Sequence, residues 1–209
     1  KENPAWSSLD AVKQGRLHIM EKQLYLKERV IPFLPEERFI HVLSTARLSK
    51  KIALGNKINA NRAYVAGILH DIAKGLSKEE IYQIVLKNYP SKLKNPAFSY
   101  HAYASAYIAK YQFGITDKKI LKAIENHCIA TKSMSKLDKI IYCADKLEES
   151  RPFAKTLDEI RKLSYDNIDS CFVEVLKDQY KYLVSTNKKV DKAIIRNIEY
   201  YERKLLNGR

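Results

Sequence analysis

Residues 67–80, GILHDIAKGLSKEE, combine a largely apolar stretch with three closely spaced polar side chains, His70, Asp71 and Lys74. A core helix has no use for such a group unless its polar atoms are satisfied, because burying an isolated carboxylate costs several kcal/mol. If the stretch is one continuous helix, Lys74 follows His70 by four residues and Asp71 by three, so the three share adjoining parts of one face. A metal ion is one candidate partner for that face.

Apolar positions recur at intervals of three and four residues along most of the chain, and clean alternation is scarce. We therefore predict an all-α fold, a single helical bundle of roughly eight to ten helices spanning residues 1–209, with residues 1–14 as a flexible or accessory N-terminal segment. Residues 88–99 hold two prolines and are predicted to form a loop. The predicted helix starts are Pro35, Ser77 with Glu80, Thr116 or Asp117, and Ser135 with Asp138. The predicted helix stops are Gly55, Gly75 and Gly114.

Composition narrows the class of protein and of partner. No apolar run approaches the ~20 residues of a spanning helix, and the first residues lack the order of a secretory signal, so we expect a cytoplasmic protein with no membrane partner. Three cysteines without a CxxC spacing argue against disulfides or a structural zinc site, and small buried hydrophobes are the simpler interpretation. The net charge of +14 favours anionic partners such as nucleotides, nucleic acid or acidic surfaces.

The histidines and two aspartates indicate a metal site. Taken singly, each of the five histidines is more often a hydrogen-bonded core or surface residue than a ligand; they are His18, His41, His70, His101 and His127. Asp71 and Asp145 stand in similar apolar surroundings, and the whole set favours ligation. Imidazoles and carboxylates without a thiolate suit Fe, Mn, Zn or Ni. With its two oxygens Asp71 is the natural bridge between two metals, an arrangement that catalyses phosphoester or phosphoanhydride hydrolysis.

Three neighbours are candidates for supporting roles. Arg38 precedes His41 by one helical turn, Thr131 follows His127 by one turn, and Asp138 precedes Asp145 by two turns. Each is a candidate phosphate contact or a partner that orients a ligand. Simpler interpretations also remain open: Arg38 as a solvent-facing residue, Thr131 as the end of a helix, and Asp138 as an ordinary acid in a first helical turn.

The ordered residues resemble a known family, the HD-domain metal-dependent phosphohydrolases. Its pattern is a histidine, an adjacent His-Asp pair and a distant aspartate, here His41, His70-Asp71 and Asp145. From about residue 15 to the C-terminus the chain more closely resembles the YqeK-type branch, the symmetrical bis(5'-nucleosyl)-tetraphosphatases. The stretches that carry this resemblance are RFIHVLSTARLSKKIA, AGILHDIAK, YHAYASAYIAK, AIENHCIAT and MSKLDKIIYCADKLEESR.

The resemblance implies hydrolysis of diadenosine tetraphosphate to two ADP molecules by a metal-bridged hydroxide at a di-iron centre, while Mn, Zn and Ni stay open from the residues alone. It implies two ligand sets, His41, His70, Asp71 and Asp145 for the first metal and Asp71, His101 and His127 for the second. Lys74, in the place of the family's HDxxK lysine, and Arg151 would neutralise phosphate charge. Arg196 in IIRNIEYY matches an Arg-Asn element that contacts the nucleotide. Asp71 and Lys74 thus become the candidate catalytic residues.

The chain departs from the family pattern at two places. Cys128-Ile129-Ala130-Thr131 follows His127 where the family has Thr-Thr-Gly, so the substrate contact expected there falls on Cys128 or is displaced to Thr131. Glu148-Glu149-Ser150 replaces an acidic-Pro pair. Neither departure removes a candidate metal ligand, so activity is expected to persist and substrate preference is the open question.

Two other functions are compatible with the sequence. One is another HD-type activity, on nucleoside monophosphates, dNTPs or cyclic nucleotides, because only the pocket distinguishes these substrates. The other is a basic RNA- or ribosome-associated protein with a vestigial metal site. The complete set of six ligands and the lack of an aromatic-rich β platform argue against nucleic acid as the partner. The expected partner is a nucleotide substrate with ADP- or GDP-like products, and a homodimer stays open.

Overall fold

The structure is a computed structural model that describes residues 21, 23–150, 157–187 and 190–208. In these ranges there are ten α-helices and no strand, which confirms the predicted all-α fold and helix number. The helices are α1 (residues 23–30), α2 (Glu36–Gly55), α3 (Ala60–Leu69), α4 (Lys78–Asn88), α5 (Tyr100–Tyr111), α6 (Lys118–Asn126), α7 (Lys136–Leu147), α8 (Asp158–Asp166), α9 (Ile168–Ser185) and α10 (Lys192–Leu206). Short 3-10 helices occur at Ile31–Phe33, Ile72–Gly75, Pro90–Lys92 and Ala97–Ser99.

The helix starts predicted from local sequence are confirmed. Ser77 and Glu80 form both hydrogen bonds of a capping box at α4, and Ser135 and Asp138 do the same at α7. At α6 the side chain of Asp117 accepts from the backbone N–H of Lys119. These caps satisfy backbone N–H groups that have no partner inside the helix.

The described helices enclose one connected cluster of buried apolar side chains. The predicted loop at residues 88–99 contains two of the short 3-10 turns. None of the described helices is long and apolar enough to cross a membrane. The single domain over 1–209 with its accessory segment 1–14 includes residues outside the described ranges, so it stays a prediction.

A close approach of α2 and α3 brings their polar residues together. A Cβ placed on Gly67 of α3 would lie 2.8 Å from Cα of Ala46 on α2, closer than side-chain carbons come to a backbone. Only glycine permits this spacing. His41 and His70, carried by these two helices, consequently face each other across a short gap.

The stretch 67–80 is not one continuous helix, so the predicted shared helical face of His70, Asp71 and Lys74 is wrong. The helix α3 ends at Leu69, Asp71 has φ −111° and ψ 16°, and a 3-10 turn follows. A tertiary contact ends the helix. The backbone N–H of Ala73 donates to Oγ of Ser105 on α5 at 3.1 Å instead of to a carbonyl of α3. Because the helix ends here, helical geometry no longer fixes the direction of the Asp71 side chain relative to that of His70.

Candidate metal centre

The six predicted metal ligands come from five different helices or their ends and converge in the interior. All are buried apart from Asp145, whose side chain keeps 14% of its exposure. They are His41 within α2, His70 at the C-cap of α3 and Asp71 directly after it, His101 in the first turn of α5, His127 at the C-cap of α6, and Asp145 in the last turn of α7. The fifth histidine of the sequence, His18, lies outside the described residues.

The first group of donor atoms comprises His41, His70 and Asp145. The Nε2 atoms of His41 and His70 are 3.2 Å apart. Oδ1 of Asp145 lies 3.1 Å from Nε2 of His41 and 3.6 Å from Nε2 of His70. These separations are those of atoms that surround a common ion, because ligand bonds to a first-row metal are about 2.0–2.2 Å long.

The second group comprises His101, His127 and one oxygen of Asp71. The two Nε2 atoms are 3.1 Å apart. Oδ1 of Asp71 lies 3.1 Å from Nε2 of His101 and 3.5 Å from Nε2 of His127. This group therefore repeats the pattern of two imidazoles and one carboxylate oxygen.

Asp71 lies between the two groups. Its Oδ2 is 3.8 Å from the Nε2 atoms of both His41 and His70, while its Oδ1 faces His101 and His127. Oδ1 is buried and has no hydrogen-bond partner of acceptable geometry among the described residues. A carboxylate that points one oxygen at each group is placed to link them.

Three of the four imidazoles direct a lone pair into the centre. In each, Nδ1 donates to an oxygen that only accepts, so the neutral ring carries its lone pair on Nε2. The acceptors are Glu148 Oε1 for His41 at 2.9 Å, Gly67 O for His70 at 2.7 Å and Ile124 O for His127 at 2.7 Å. Lone pairs held this close repel one another unless a cation lies between them, so the donor set fits a divalent metal ion.

The charges of the centre are consistent with a cation site. Burial opposes ionisation of Asp71 and Asp145, yet the facing imidazoles, and Lys146 beside Asp145, hold the pKa of both carboxyls well below its ordinary value. For His41, burial lowers the pKa, but the hydrogen bonds to Asp145 and Glu148 outweigh burial and raise it to about 9. In the absence of metal a proton thus occupies the lone pair that a metal would take.

Two residues of the centre were missed by the sequence analysis as functional groups. Glu148, at the C-cap of α7, is almost fully buried and accepts from Nδ1 of His41. Burial raises its pKa, but hydrogen bonds from His41 and Ser150 bring it down to about 2. Lys146 donates to Oδ2 of Asp145 and to the carbonyl of His127, both at 3.2 Å. The spacing of three residues from Asp145 to Glu148 was the one available signal.

Cys128 is partly exposed, and its side chain reaches the donor atoms of the centre. Its Sγ is 3.1 Å from Nε2 of His101 and 3.1 Å from Nε2 of His127. Burial raises the pKa of its thiol above the ordinary value, against the opposing charges of Lys146 and Lys74. Cys143 and Cys171 are buried, as predicted for small hydrophobic side chains.

Two cationic side chains border the centre. Nη1 of Arg38 lies 3.7 Å from Oδ2 of Asp71, and the Arg38 side chain is about half exposed. Lys74 is partly buried on the 3-10 turn after Asp71, and its charge acts on Cys128. Arg38 therefore reaches Asp71 from the solvent side.

The other predicted substrate contacts lie further out. Thr131 is in the loop after α6, where its carbonyl accepts from the Tyr201 hydroxyl at 2.6 Å. Arg196 is exposed on α10, and its neighbour Asn197 is buried and donates to the carbonyl of Ala130 at 2.8 Å. The helix α10 therefore anchors the loop that follows His127. Arg151 lies outside the described residues.

Comparison with known proteins places these features in a family. The sequence model of the HD domain matches residues 38–150, a range that contains all six candidate ligands. The chain is 38% identical over 171 residues to the probable nicotinate-nucleotide adenylyltransferase/Ap4A hydrolase of Mycoplasma genitalium, covering 77% of the chain and 47% of that protein. It is 32% identical over 160 residues to the symmetrical bis(5'-nucleosyl)-tetraphosphatase of Bacillus subtilis, covering 75% of the chain and 85% of that protein.

A solved structure agrees with the sequence matches. An HD superfamily hydrolase from Clostridium acetobutylicum matches with a TM-score of 0.76 and 28% identity, covering 86% of this chain and 96% of that one. The chain spans about half the length of its Mycoplasma genitalium relative. Because the HD-domain model matches more than half of the chain, and the Bacillus subtilis relative is 32% identical over most of its length, the chain belongs to the HD-domain family.

Proposed function

We propose that this chain is a symmetrical dinucleoside tetraphosphatase, which hydrolyses diadenosine tetraphosphate or related dinucleoside polyphosphates to two nucleoside diphosphates. The observation that carries the proposal is the position of Asp71, whose two oxygens face two separate sets of donors. The similarity to a symmetrical bis(5'-nucleosyl)-tetraphosphatase of Bacillus subtilis and to a probable Ap4A hydrolase of Mycoplasma genitalium supports the substrate class.

The proposed cofactor is a pair of divalent ions, with iron as the first candidate and Mn, Zn or Ni as alternatives. His41, His70, Asp71 and Asp145 would hold one ion, and Asp71, His101 and His127 the other. Such a pair, when bound, supplies an activated water and neutralises the charge of a phosphoanhydride. The separation of the donors into two groups that share Asp71 supports two ions over one.

The chain's own residues account for substrate charge and for ligand orientation. Arg38 lies beside Asp71, and Lys74 is partly exposed on the turn that follows it, so a guanidinium and an ammonium are available to bind phosphate oxygens. Glu148 fixes the ring of His41 through Nδ1, as Gly67 O does for His70. Hydrolysis adds one water across the central P–O–P bond and leaves a nucleoside diphosphate on each side.

Product analysis tests this proposal. The purified protein is incubated with Fe(II) or Mn(II) and diadenosine tetraphosphate, and the nucleotides are separated at several times. ADP as the only nucleotide product is expected. ATP with AMP, or no turnover, would contradict it, and faster hydrolysis of a dNTP, a nucleoside monophosphate or a cyclic nucleotide in parallel reactions would assign a different HD-type activity.

A further inference from the structure

The sulfur of Cys128 completes a third set of donor atoms with His101 and His127. The distances from Sγ to the two Nε2 atoms and between the two Nε2 atoms are all 3.1 Å, so the three atoms form an equilateral triangle. Oδ1 of Asp71 caps it at 3.1 Å from His101 and 3.5 Å from His127. One sulfur, two nitrogens and one oxygen thus surround a common point.

Hydrogen bonds do not account for this arrangement. Nδ1 of His127 donates to Ile124 O, so its Nε2 has no hydrogen in the neutral ring. The thiol and Nε2 of His101 together carry at most two hydrogens, which must serve five contacts of 3.1–3.5 Å. Oδ1 of Asp71 is buried without a hydrogen-bond partner among the described residues. An acceptor-rich cluster of this kind is stabilised by a cation.

The size of the triangle fits a metal ion. Bonds of about 2.0–2.1 Å to nitrogen and about 2.3 Å to sulfur, at tetrahedral angles, place the donor atoms roughly 3.3–3.6 Å apart. The observed separations are within a few tenths of an ångström of these values. Neither of the other cysteines has this environment, since Cys143 and Cys171 are buried in the apolar core.

We propose that Cys128 is a protein ligand of the second metal position, which is then held by two imidazoles, one oxygen of Asp71 and one thiolate. The inference rests on the proposed binuclear centre and assigns Cys128 to the ion rather than to the substrate. On binding, the sulfur donates an electron pair to the ion and the thiol proton is released to solvent. The sequence predicts a donor set without a thiolate, and the proposal departs from that expectation at this position.

The proposed ligand has a consequence for metal preference. Thiolate is a soft donor that favours Zn²⁺, Co²⁺ or Fe²⁺, whereas Mn²⁺ prefers oxygen donors. The two positions in one protein therefore differ in selectivity, with the Cys128 position discriminating more strongly against Mn²⁺. Replacing sulfur by a hydroxyl should reduce that discrimination.

Cobalt spectroscopy tests the ligand directly. Apo protein is titrated with Co(II), and the wild type is expected to develop the intense near-ultraviolet absorption of thiolate-to-cobalt charge transfer. Cys128→Ser should lose this absorption while keeping the visible bands of cobalt bound to histidine, and Cys143→Ala, as the matched control, should keep both. An unchanged near-ultraviolet band in Cys128→Ser, or its absence in wild-type protein that binds two cobalt ions, would overturn the proposal.

Two further measurements keep the test independent of activity and of variant folding. Zn²⁺ should protect Cys128 of the wild type from alkylation, as mapped by mass spectrometry, and alkylation that zinc does not slow would contradict ligation. Cys128→Ser should weaken Zn²⁺ binding at one site by at least about tenfold and change Mn²⁺ binding much less. Wild-type protein that shows the charge-transfer band but does not convert diadenosine tetraphosphate to ADP supports the ligand and refutes the proposed function.

Discussion

At the scale of single residues, Asp71 links the two donor groups. Its backbone leaves the helix of His70, and its two oxygens consequently reach different imidazole pairs. It is also the one candidate ligand with a buried oxygen that lacks a hydrogen-bond partner in the described part of the chain. Loss of its charge should affect both metal positions together, unlike loss of any single histidine.

Asp71→Asn tests that role. We expect the variant to bind fewer than two ions per chain and to lose on the order of a thousandfold or more in kcat, because the amide supplies only one oxygen and no charge. Metal content by elemental analysis and turnover of diadenosine tetraphosphate check this. Two bound ions with wild-type turnover would remove Asp71 from the bridge.

We expect Glu148 to act through His41, as a positioning residue. Glu148→Gln removes the negative charge that holds the Nδ1 proton of His41, and we expect metal affinity to fall about 10- to 100-fold. Competition with a chelating dye measures the affinity. Glu149→Gln is the matched control because the adjacent Glu149 is exposed, and an equal loss in both variants would indicate a general charge effect instead.

Lys74 is expected to act on the substrate rather than on the metal. Lys74→Ala should lower kcat/KM about 10- to 100-fold while metal content stays at the wild-type level, since a charge-assisted contact to phosphate is lost. Lys87→Ala, an exposed lysine on α4, serves as the control. Unchanged kinetics for Lys74→Ala would make this lysine an ordinary surface residue.

At the scale of elements, helix ends carry three of the four candidate histidine ligands. His70 and His127 occupy the C-caps of α3 and α6, where each Nδ1 donates to the carbonyl three residues earlier, Gly67 O and Ile124 O respectively. Each hydrogen bond ties the imidazole to its own helix end and fixes the orientation of the ring. His101 enters from the opposite end of a helix, in the first turn of α5.

Gly67→Ala tests whether helix spacing sets the centre. The added Cβ would meet Ala46 Cα at 2.8 Å, so α3 must move from α2, which we expect to cost about 1–3 kcal/mol of unfolding free energy and to weaken metal binding. Denaturant melts and metal titration measure the two effects. Gly114→Ala, where nothing lies within 4 Å but φ is +68°, should lose stability without losing metal affinity, and equal metal loss in both would contradict the role of spacing.

At the scale of the whole molecule, the centre lies where five helices of the bundle meet. Ligands from five helices or helix ends, separated by up to about a hundred residues, meet at one place. A metal ion that binds only the folded chain stabilises it by about 2.7 kcal/mol when its free concentration is a hundred times the Kd. We therefore expect folding and metal binding to be coupled.

Chelation should expose this coupling. Removal of metal from the wild type is expected to lower Tm by about 5–10 °C, from the linkage above and the usual shift for a chain of this size. Differential scanning calorimetry with and without chelator checks it. In Asp71→Asn the same treatment should change Tm little, and a wild-type Tm that is indifferent to chelator would show that the centre contributes no binding energy to the fold.

The sequence by itself determined the helical class, several helix starts and the histidine and aspartate residues that are candidates for metal binding. Apolar periodicity, capping residues and the order of His and Asp residues are local properties, so they can be recognised without coordinates. Only the tertiary structure decided which donors share a group, that the helix breaks between His70 and Asp71, and that Glu148 and Cys128 lie against the ligand rings. These features depend on contacts between distant segments, such as Ser105 with Ala73 and Cys128 with His101, whose distances no local pattern encodes.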